Sequence, residues 1–214
     1  MDARIQRGMQ ALLELRRGRL EAGERHLGWK VGFGAPAALE RYAIDRPLVG
    51  FLTTRTLLDD GAEVSIGGWK APRLEPEIAV VIGDGGAIAG LAAAIELADL
   101  DPPPEDVERI LSGNIFHRHV ILGAFDRGRT DADGVTMRLE RDGEQIAAND
   151  APAELTGDVV EVVRGVGELL QACGEQLRAG DVIITGSTVP PVPVAPGQRI
   201  RAQLDPLGSV SVVL

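Results

Sequence analysis

The stretch Arg73-Leu74-Glu75-Pro76-Glu77-Ile78-Ala79-Val80-Val81-Ile82-Gly83 constrains the fold more than any other part of the chain. Its second half is a β-branched run ended by glycine, which reads as a buried strand. Side chains repeat every two residues along a strand, so Glu75 and Glu77 point to one face at its mouth. Two like charges so placed repel each other unless something neutralises them. A divalent cation does so with one or two carboxylates and keeps positions for water or substrate. A solvated pair on an edge strand fits the same spacing, and E-x-E alone does not choose between them.

The chain has 214 residues, enough for a sizeable core without staples. The expected organisation is an N-terminal helix, residues 1–26, appended to a single body of residues 27–214. Cys173 is the only cysteine, which excludes an internal disulfide and fits a reducing, cytoplasmic setting. No apolar run approaches a membrane span, and Met1-Asp2-Ala3-Arg4 opens no signal-peptide core. A net charge of −10 argues against nucleic acid as a partner. An anionic substrate stays compatible with it, provided a metal or local cations supply positive charge.

Residues 4–22 read as a helix with an apolar stripe of Ile5, Met9, Leu12, Leu13 and Leu20. Arg16 interrupts the stripe, so the first half is expected to carry the burial, and Gly23 can close the helix. Gly28-Trp29-Lys30-Val31-Gly32 is a short strand. Lys30 either faces water or lies inside with an anionic partner, because an unpaired buried ammonium is costly. A short helix follows at 37–42, then a turn into a strand ending at Leu52, and a further strand at 61–66. Glu96 stands alone among the small apolar residues of Ala92-Ala93-Ala94-Ile95-Glu96-Leu97-Ala98. Acidic residues are rarely buried unpaired, so Glu96 is a plausible third carboxylate for the pair at 75 and 77; a glutamate on a helix surface is the alternative.

Pro102-Pro103-Pro104 reads as a stiff stop, and 105–111 as a short helix. In Asn114-Ile115-Phe116-His117-Arg118-His119 the two histidines share a face if this part is extended, as metal ligands, substrate contacts or plain hydrogen-bonded groups. A hairpin turns at Asp142-Gly143, and 156–173 is the clearest amphipathic helix. Gly180-Asp181-Val182-Ile183-Ile184-Thr185-Gly186-Ser187 is a buried strand, followed by strands at 200–204 and 208–212. There is no G-x-S-x-G elbow, and Gly83-x-Gly85 opens no helix, so nucleophile-elbow and dinucleotide-binding chemistry are set aside.

Taken together, Gly28-Trp29-Lys30-Val31-Gly32, Glu75-Pro76-Glu77-Ile78-Ala79, Glu96, Gly180 to Ser187, Pro196-Gly197 and Leu207 to Val212 resemble the fumarylacetoacetate hydrolase superfamily. Within it the chain is similar to the 2-keto-4-pentenoate hydratase and 4-oxalocrotonate decarboxylase branch, from about residue 27 to the C-terminus. The resemblance implies an α+β fold, a mixed β-sandwich roll with peripheral helices. It implies Mg²⁺ or Mn²⁺ on Glu75, Glu77 and Glu96, with Lys30 as the active-site lysine. It also implies that Thr185, Gly186 and Ser187 line the substrate pocket, and that the protein is a homo-oligomer. The expected activity is a carbon–oxygen lyase, a hydratase of a small 2-oxo acid or 2-hydroxydienoate working through a metal-stabilised enolate. Decarboxylation, β-diketone hydrolysis and a non-catalytic metal-binding homologue are the alternatives.

Two departures from that pattern stand out. Where the hydratases typically read Pro-Asp-Phe-Gly, this chain has Pro47-Leu48-Val49-Gly50, so an acid is replaced by Leu48. After Asn114 the family's small hydroxyl-bearing residues are replaced by bulkier, cationic ones. His117 is the candidate replacement acid/base, since histidine titrates near neutral pH, and Arg118 the candidate for a second substrate carboxylate.

Overall fold

The computed structural model describes residues 1–101, 103 and 105–214; the stiff stop expected at Pro102-Pro103-Pro104 thus falls largely outside the described residues. In chain order the elements are α1 (Ala3–Glu21), β1 (His26–Gly32), α2 (Pro36–Tyr42), β2 (Leu48–Thr53), β3 (Leu57–Leu58), β4 (Pro72–Ile82) and β5 (Ile88–Asp99). Then come α3 (Val107–Ser112), β6 (His117–Leu122), β7 (Thr136–Arg141), β8 (Glu144–Asn149), α4 (Ala153–Thr156) and α5 (Val159–Ala172). The chain ends with β9 (Val182–Ser187), β10 (Val192–Pro193), β11 (Arg199–Asp205) and β12 (Gly208–Val213).

The strands form a mixed larger sheet and an antiparallel smaller one in an α+β fold. The larger sheet runs β2-β1-β9-β4-β5-β6-β3, with β10 added on β4, and the smaller runs β12-β11-β7-β8. Alternation along β4 and β5 divides the large sheet into two faces. Leu74, Ile78, Val80, Leu91, Ala93, Ile95 and Leu97 point to the main core, which they share with Met137, Leu139, Ile200, Leu204, Val210 and Val212 of the smaller sheet. The other face carries Ala79, Ala92, Ala94, Leu52, Val120, Val182 and Ile184, a separate buried cluster. All of these come from strands of one sheet, so that sheet must curl to bury them, and the small alanines let it close tightly. Glu75, Glu77, Glu96 and Lys30 lie on this inner face by alternation and register, with Glu75 opposite Glu96 and Lys30 opposite Gly50.

Helix α1 packs on α3, where Gly8 leaves no room for a Cβ against Leu111. Ile5, Met9 and Leu12 are buried as the stripe predicts, but so is Arg16, at 7% exposure. Its guanidinium lies 4.9 Å from the Trp29 ring centroid and 3.3 Å from Glu175, so stacking and pairing carry a charged group into the packed face. Trp29 and Lys30 are both interior, because β1 is covered on both faces. The strand expected at 61–66 is not formed; Glu63 makes a single bridge with Val213 while Val64 and Ile66 anchor an otherwise irregular segment. The expected helix 156–173 breaks at Gly157, with φ +82°, and Asp158 caps α5 by accepting from the Val160 and Glu161 N–H groups. Among the described residues, no helix is long and apolar enough to cross a membrane.

Candidate metal centre

Carboxylate oxygens of Glu75, Glu77 and Glu96 all lie within 4.8 Å of one another. Glu77 and Glu96 are wholly inaccessible and Glu75 is half-buried, so the cluster opens to solvent on the Glu75 side. Each buried glutamate is held by one oxygen. Glu96 Oε1 accepts from Lys30 Nζ at 2.5 Å and faces His117 Nδ1 at 2.7 Å. Glu77 Oε2 accepts from the Gly186 N–H at 2.7 Å. The remaining oxygens, Glu77 Oε1 and Glu96 Oε2, are buried without any hydrogen-bond partner. Two orphaned carboxyl oxygens beside a third carboxylate are costly as they stand and suit a hard cation.

A β-bulge places the Gly186 donor. Glu77 pairs with Ser187 and Ala79 with Ile184, so β9 has one residue more than β4 across this interval. Gly186, at φ +100°, turns its N–H out of the ladder onto Glu77. The neighbouring hydroxyls are spent on backbone: Thr185 Oγ1 donates to Ile78 O and Ser187 Oγ to Val189 O. The Thr185-Gly186-Ser187 segment thus orients a carboxylate with its backbone.

A second bulge separates the two histidines. His119 pairs with Leu97 and His117 with Ala98, leaving Arg118 as the extra residue. Alternation would put both histidines on one face; the bulge turns His117 to the face of Glu96 and leaves His119 stacked on Trp69, ring centroids 6.0 Å apart. The extra residue, Arg118, pairs with Asp99 at 3.3 Å and is half exposed. With Arg19, Arg109 and His117 it lines a cleft of 290 Å³.

The charge balance follows from burial. Burial and the Glu96 charge push the Glu75 carboxyl up to about 7, against Lys30. Burial, then Glu96 and Glu75, pushes Glu77 well above the ordinary range. Burial also works to raise Glu96, but Lys30 and His117 outweigh it and hold this carboxyl below its ordinary value. Burial works to lower Lys30 and is outweighed by the three carboxylates, which keep it charged. Burial lowers His117 more than its bond to Glu96 lifts it, so the imidazole is neutral. A neutral imidazole facing an ionised Glu96 carries its proton on Nδ1; Nε2 lies 3.0 Å from the Thr56 hydroxyl, whose single proton is also within reach of the Thr53 carbonyl at 3.1 Å.

Lys30 sits between two devices. Gly50, opposite it, has no room for a side chain: a Cβ there would lie 2.9 Å from Lys30 Cγ and 2.8 Å from Asn114 Oδ1. The Ile115 carbonyl accepts from Lys30 Nζ at 3.2 Å. It is carried on a turn in which Asn114, Ile115 and Phe116 have φ of +53°, +50° and +62°. Left-handed backbone costs roughly 1–2 kcal/mol per residue for L-amino acids, and a β-branched residue there is a clear outlier. Nothing in the residue types 114–116 announces this turn. Only Asn, which tolerates the left-handed region, hints at it.

These pKa directions set a pH dependence. Glu75 and Glu77 are raised on folding, so the stability from their neutral forms is fully present below about 4.5 and is lost as pH rises, through about 7 for Glu75. A bound cation removes that loss. The Mn²⁺-induced rise in thermal midpoint is therefore expected to be small at pH 5 and larger by roughly 5–10 °C at pH 8. Calorimetry at both pH values checks this, and an equal rise at the two would count against the cluster as the binding site.

The fold and this cluster define a class: an α+β protein whose curled sheet holds buried carboxylates for a divalent cation beside an internal lysine. The fumarylacetoacetate (FAA) hydrolase C-terminal family model matches residues 29–214, and the chain belongs to that family. It is 31% identical to a 4-oxalocrotonate decarboxylase of Pseudomonas putida over 92% of this chain and 81% of that one. It is 30% identical to a 2-hydroxyhexa-2,4-dienoate hydratase of Comamonas testosteroni, over 94% and 82%. Among solved structures it is similar to the 4-oxalocrotonate decarboxylase of Pseudomonas putida G7 complexed with magnesium and adipate. That match has a TM-score of 0.86 and 27% identity, and covers 94% of this chain and 82% of that one.

Proposed function

We propose that the protein is a divalent-metal-dependent lyase that adds water to a small 2-hydroxydienoate, the enol form of a 2-oxo acid. The observation that carries this is the pair of orphaned buried oxygens, Glu77 Oε1 and Glu96 Oε2, beside a charged lysine. Glu75, Glu77 and Glu96 would hold Mg²⁺ or Mn²⁺, as the related decarboxylase structure holds magnesium. The ion supplies Lewis-acid stabilisation of the negative charge that develops on the oxygen next to the reacting carbons. Lys30 pairs with the substrate carboxylate or developing oxyanion and has a proton to give. His117 holds Glu96 Oε1 through its Nδ1–H, which keeps Oε2 turned to the cluster. Arg118, with Arg19 and Arg109, offers a cation to the far end of an anionic substrate in the cleft beside His117, whose lining also carries Asp101, Glu105 and Asp106.

Leu48 favours a second reading, decarboxylation. Wholly buried and unable to carry a proton, it leaves the site with fewer groups to activate water. Cleavage to CO₂ needs only charge stabilisation and one returning proton. We also assign the chain to the cytoplasm as a homo-oligomer, on its single cysteine and the assembly expected of its family. Sedimentation tests the assembly, and fractionation of cells the location.

The reaction is tested by incubating the protein with Mg²⁺ and a panel of 2-hydroxydienoates and 2-oxo dicarboxylates, following dienol absorbance and CO₂ together. Loss of absorbance without CO₂ is the expected result. Release of CO₂ in proportion selects the second reading, and no turnover on any member sinks both.

A further inference from the structure

We propose that Asn114 is a positioning residue for Lys30. Its side chain clamps the free edge of β2, and the left-handed turn so held aims the Ile115 carbonyl at the ammonium and leaves one N–H of Lys30 for the substrate. The proposal rests on the assignment of Lys30 to the reaction.

Strand β2 ends the large sheet and pairs through β1 alone, with Phe51 opposite Trp29. The outer edge of β2 is nevertheless buried at Phe51, where a bare N–H and C=O would lack partners. Asn114, 2% exposed, supplies both: Oδ1 accepts from the Phe51 N–H at 2.8 Å, and Nδ2 donates to the Phe51 carbonyl at 3.0 Å. One side chain thus replaces a neighbouring strand at a single residue. A strained backbone persists only where its surroundings over-determine it, and this two-way clamp is what fixes residues 114–116 in the left-handed region. Gly50 and Gly32 make room for it. A Cβ on Gly50 would meet Asn114 Oδ1, and one on Gly32 would lie 2.9 Å from Ile115 Cγ2.

The consequence falls on Lys30. An ammonium has three donors and no acceptor. Glu96 Oε1 takes one and the Ile115 carbonyl a second. With two acceptors fixed, the direction of the third N–H is fixed as well, and no described residue is bonded to it. Released from Ile115, rotation about Cε–Nζ would be checked by Glu96 alone, and the third N–H would be held less sharply. The same turn delivers the next residue, His117, onto Glu96, so both partners of that carboxylate are set by one segment.

The test compares Asn114→Ala, Met137→Ala and the double variant Lys30→Met/Asn114→Ala. Asn114→Ala is expected to lower kcat about 30-fold or more, with KM and Mn²⁺ affinity within about threefold of the parent. Met137→Ala empties part of the core under the smaller sheet, away from the cluster, so kcat stays within about threefold although its unfolding midpoint falls. Loss of stability alone therefore does not mimic the effect. Since Asn114 acts through Lys30, the double variant is expected to be no slower than Lys30→Met. Unchanged kcat in Asn114→Ala, or additive losses in the double variant, would overturn the proposal. If the parent turns over no 2-oxo acid, the assignment of function fails, and the clamp is read without activity. Proton exchange at the Lys30 ammonium, followed by NMR, should quicken at least about tenfold in Asn114→Ala. Unchanged exchange there overturns the clamp itself.

Discussion

Glu96→Gln is expected to lower Mn²⁺ affinity at least about 100-fold and turnover about 10³-fold, with little change in the thermal midpoint of the metal-free protein. Glu96 is the hub of the cluster. One of its oxygens carries Lys30 and His117, and the other is buried with no partner. Glutamine keeps the shape and a carbonyl to receive Lys30 but removes the one carboxyl that its neighbours hold ionised. Glu75 and Glu77 then remain, both still pushed up by burial, and each must give up a proton to take a cation. The stability is buffered by opposition. Lys30 loses its closest counter-charge, which costs, while the repulsion that raised Glu75 and Glu77 is relieved, which gains. Isothermal titration with Mn²⁺ at pH 7.5, beside a melt of the metal-free variant, checks both halves. Affinity within threefold of the parent would remove Glu96 from the ligand set.

The inner face of the large sheet was largely legible in the sequence, because it is built from strand alternation. Period two puts Glu75 and Glu77 on one face; Glu96 and Lys30 stand out as lone charges in an alanine-rich run and a glycine-flanked strand, and only the resemblance to the family selects their buried reading over the solvated one. What alternation could not give is where it is interrupted. The bulge at Arg118 splits His117 from His119, and the bulge at Gly186 turns a backbone N–H onto Glu77. Each depends on the partner strand as much as on its own residues, so a single chain segment does not announce it. Arg16 was misjudged for a related reason. Its burial depends on Trp29 and Glu175, far off in sequence, and helix periodicity treats every arginine as solvent-seeking. The left-handed turn at 114–116 violates local preference outright, and it sits beside Lys30 and the carboxylate cluster.

Lys30→Met should separate chemistry from metal binding, giving the opposite pattern to Glu96→Gln. Methionine preserves much of the aliphatic stem that packs over Gly50 and removes only the ammonium. Turnover is expected to fall about 10³-fold, since the one charged donor facing the cluster is gone. Mn²⁺ affinity should hold, because loss of a fixed positive charge 2.5 Å from Glu96 favours a second cation there while the raised Glu96 carboxyl must first give up a proton. The metal-free variant should pay for this in stability. Three buried carboxylates lose their internal counter-charge, and breaking a buried pair of this kind costs about 3–5 kcal/mol. The sign with pH follows from Glu96. In the parent its pKa is depressed, so its contribution is present above the ordinary carboxylate range and is lost as pH falls. Without Lys30 burial dominates, Glu96 joins the raised pair, and the metal-free protein instead loses stability as pH rises. Added Mn²⁺ should restore most of that loss at pH 8 without restoring turnover. Melts at pH 5 and 8 with and without Mn²⁺, together with kcat, provide the check. Turnover within tenfold of the parent, or loss of Mn²⁺ binding in a folded variant, would show that Lys30 is a structural counter-ion of the cluster and takes no part in the reaction.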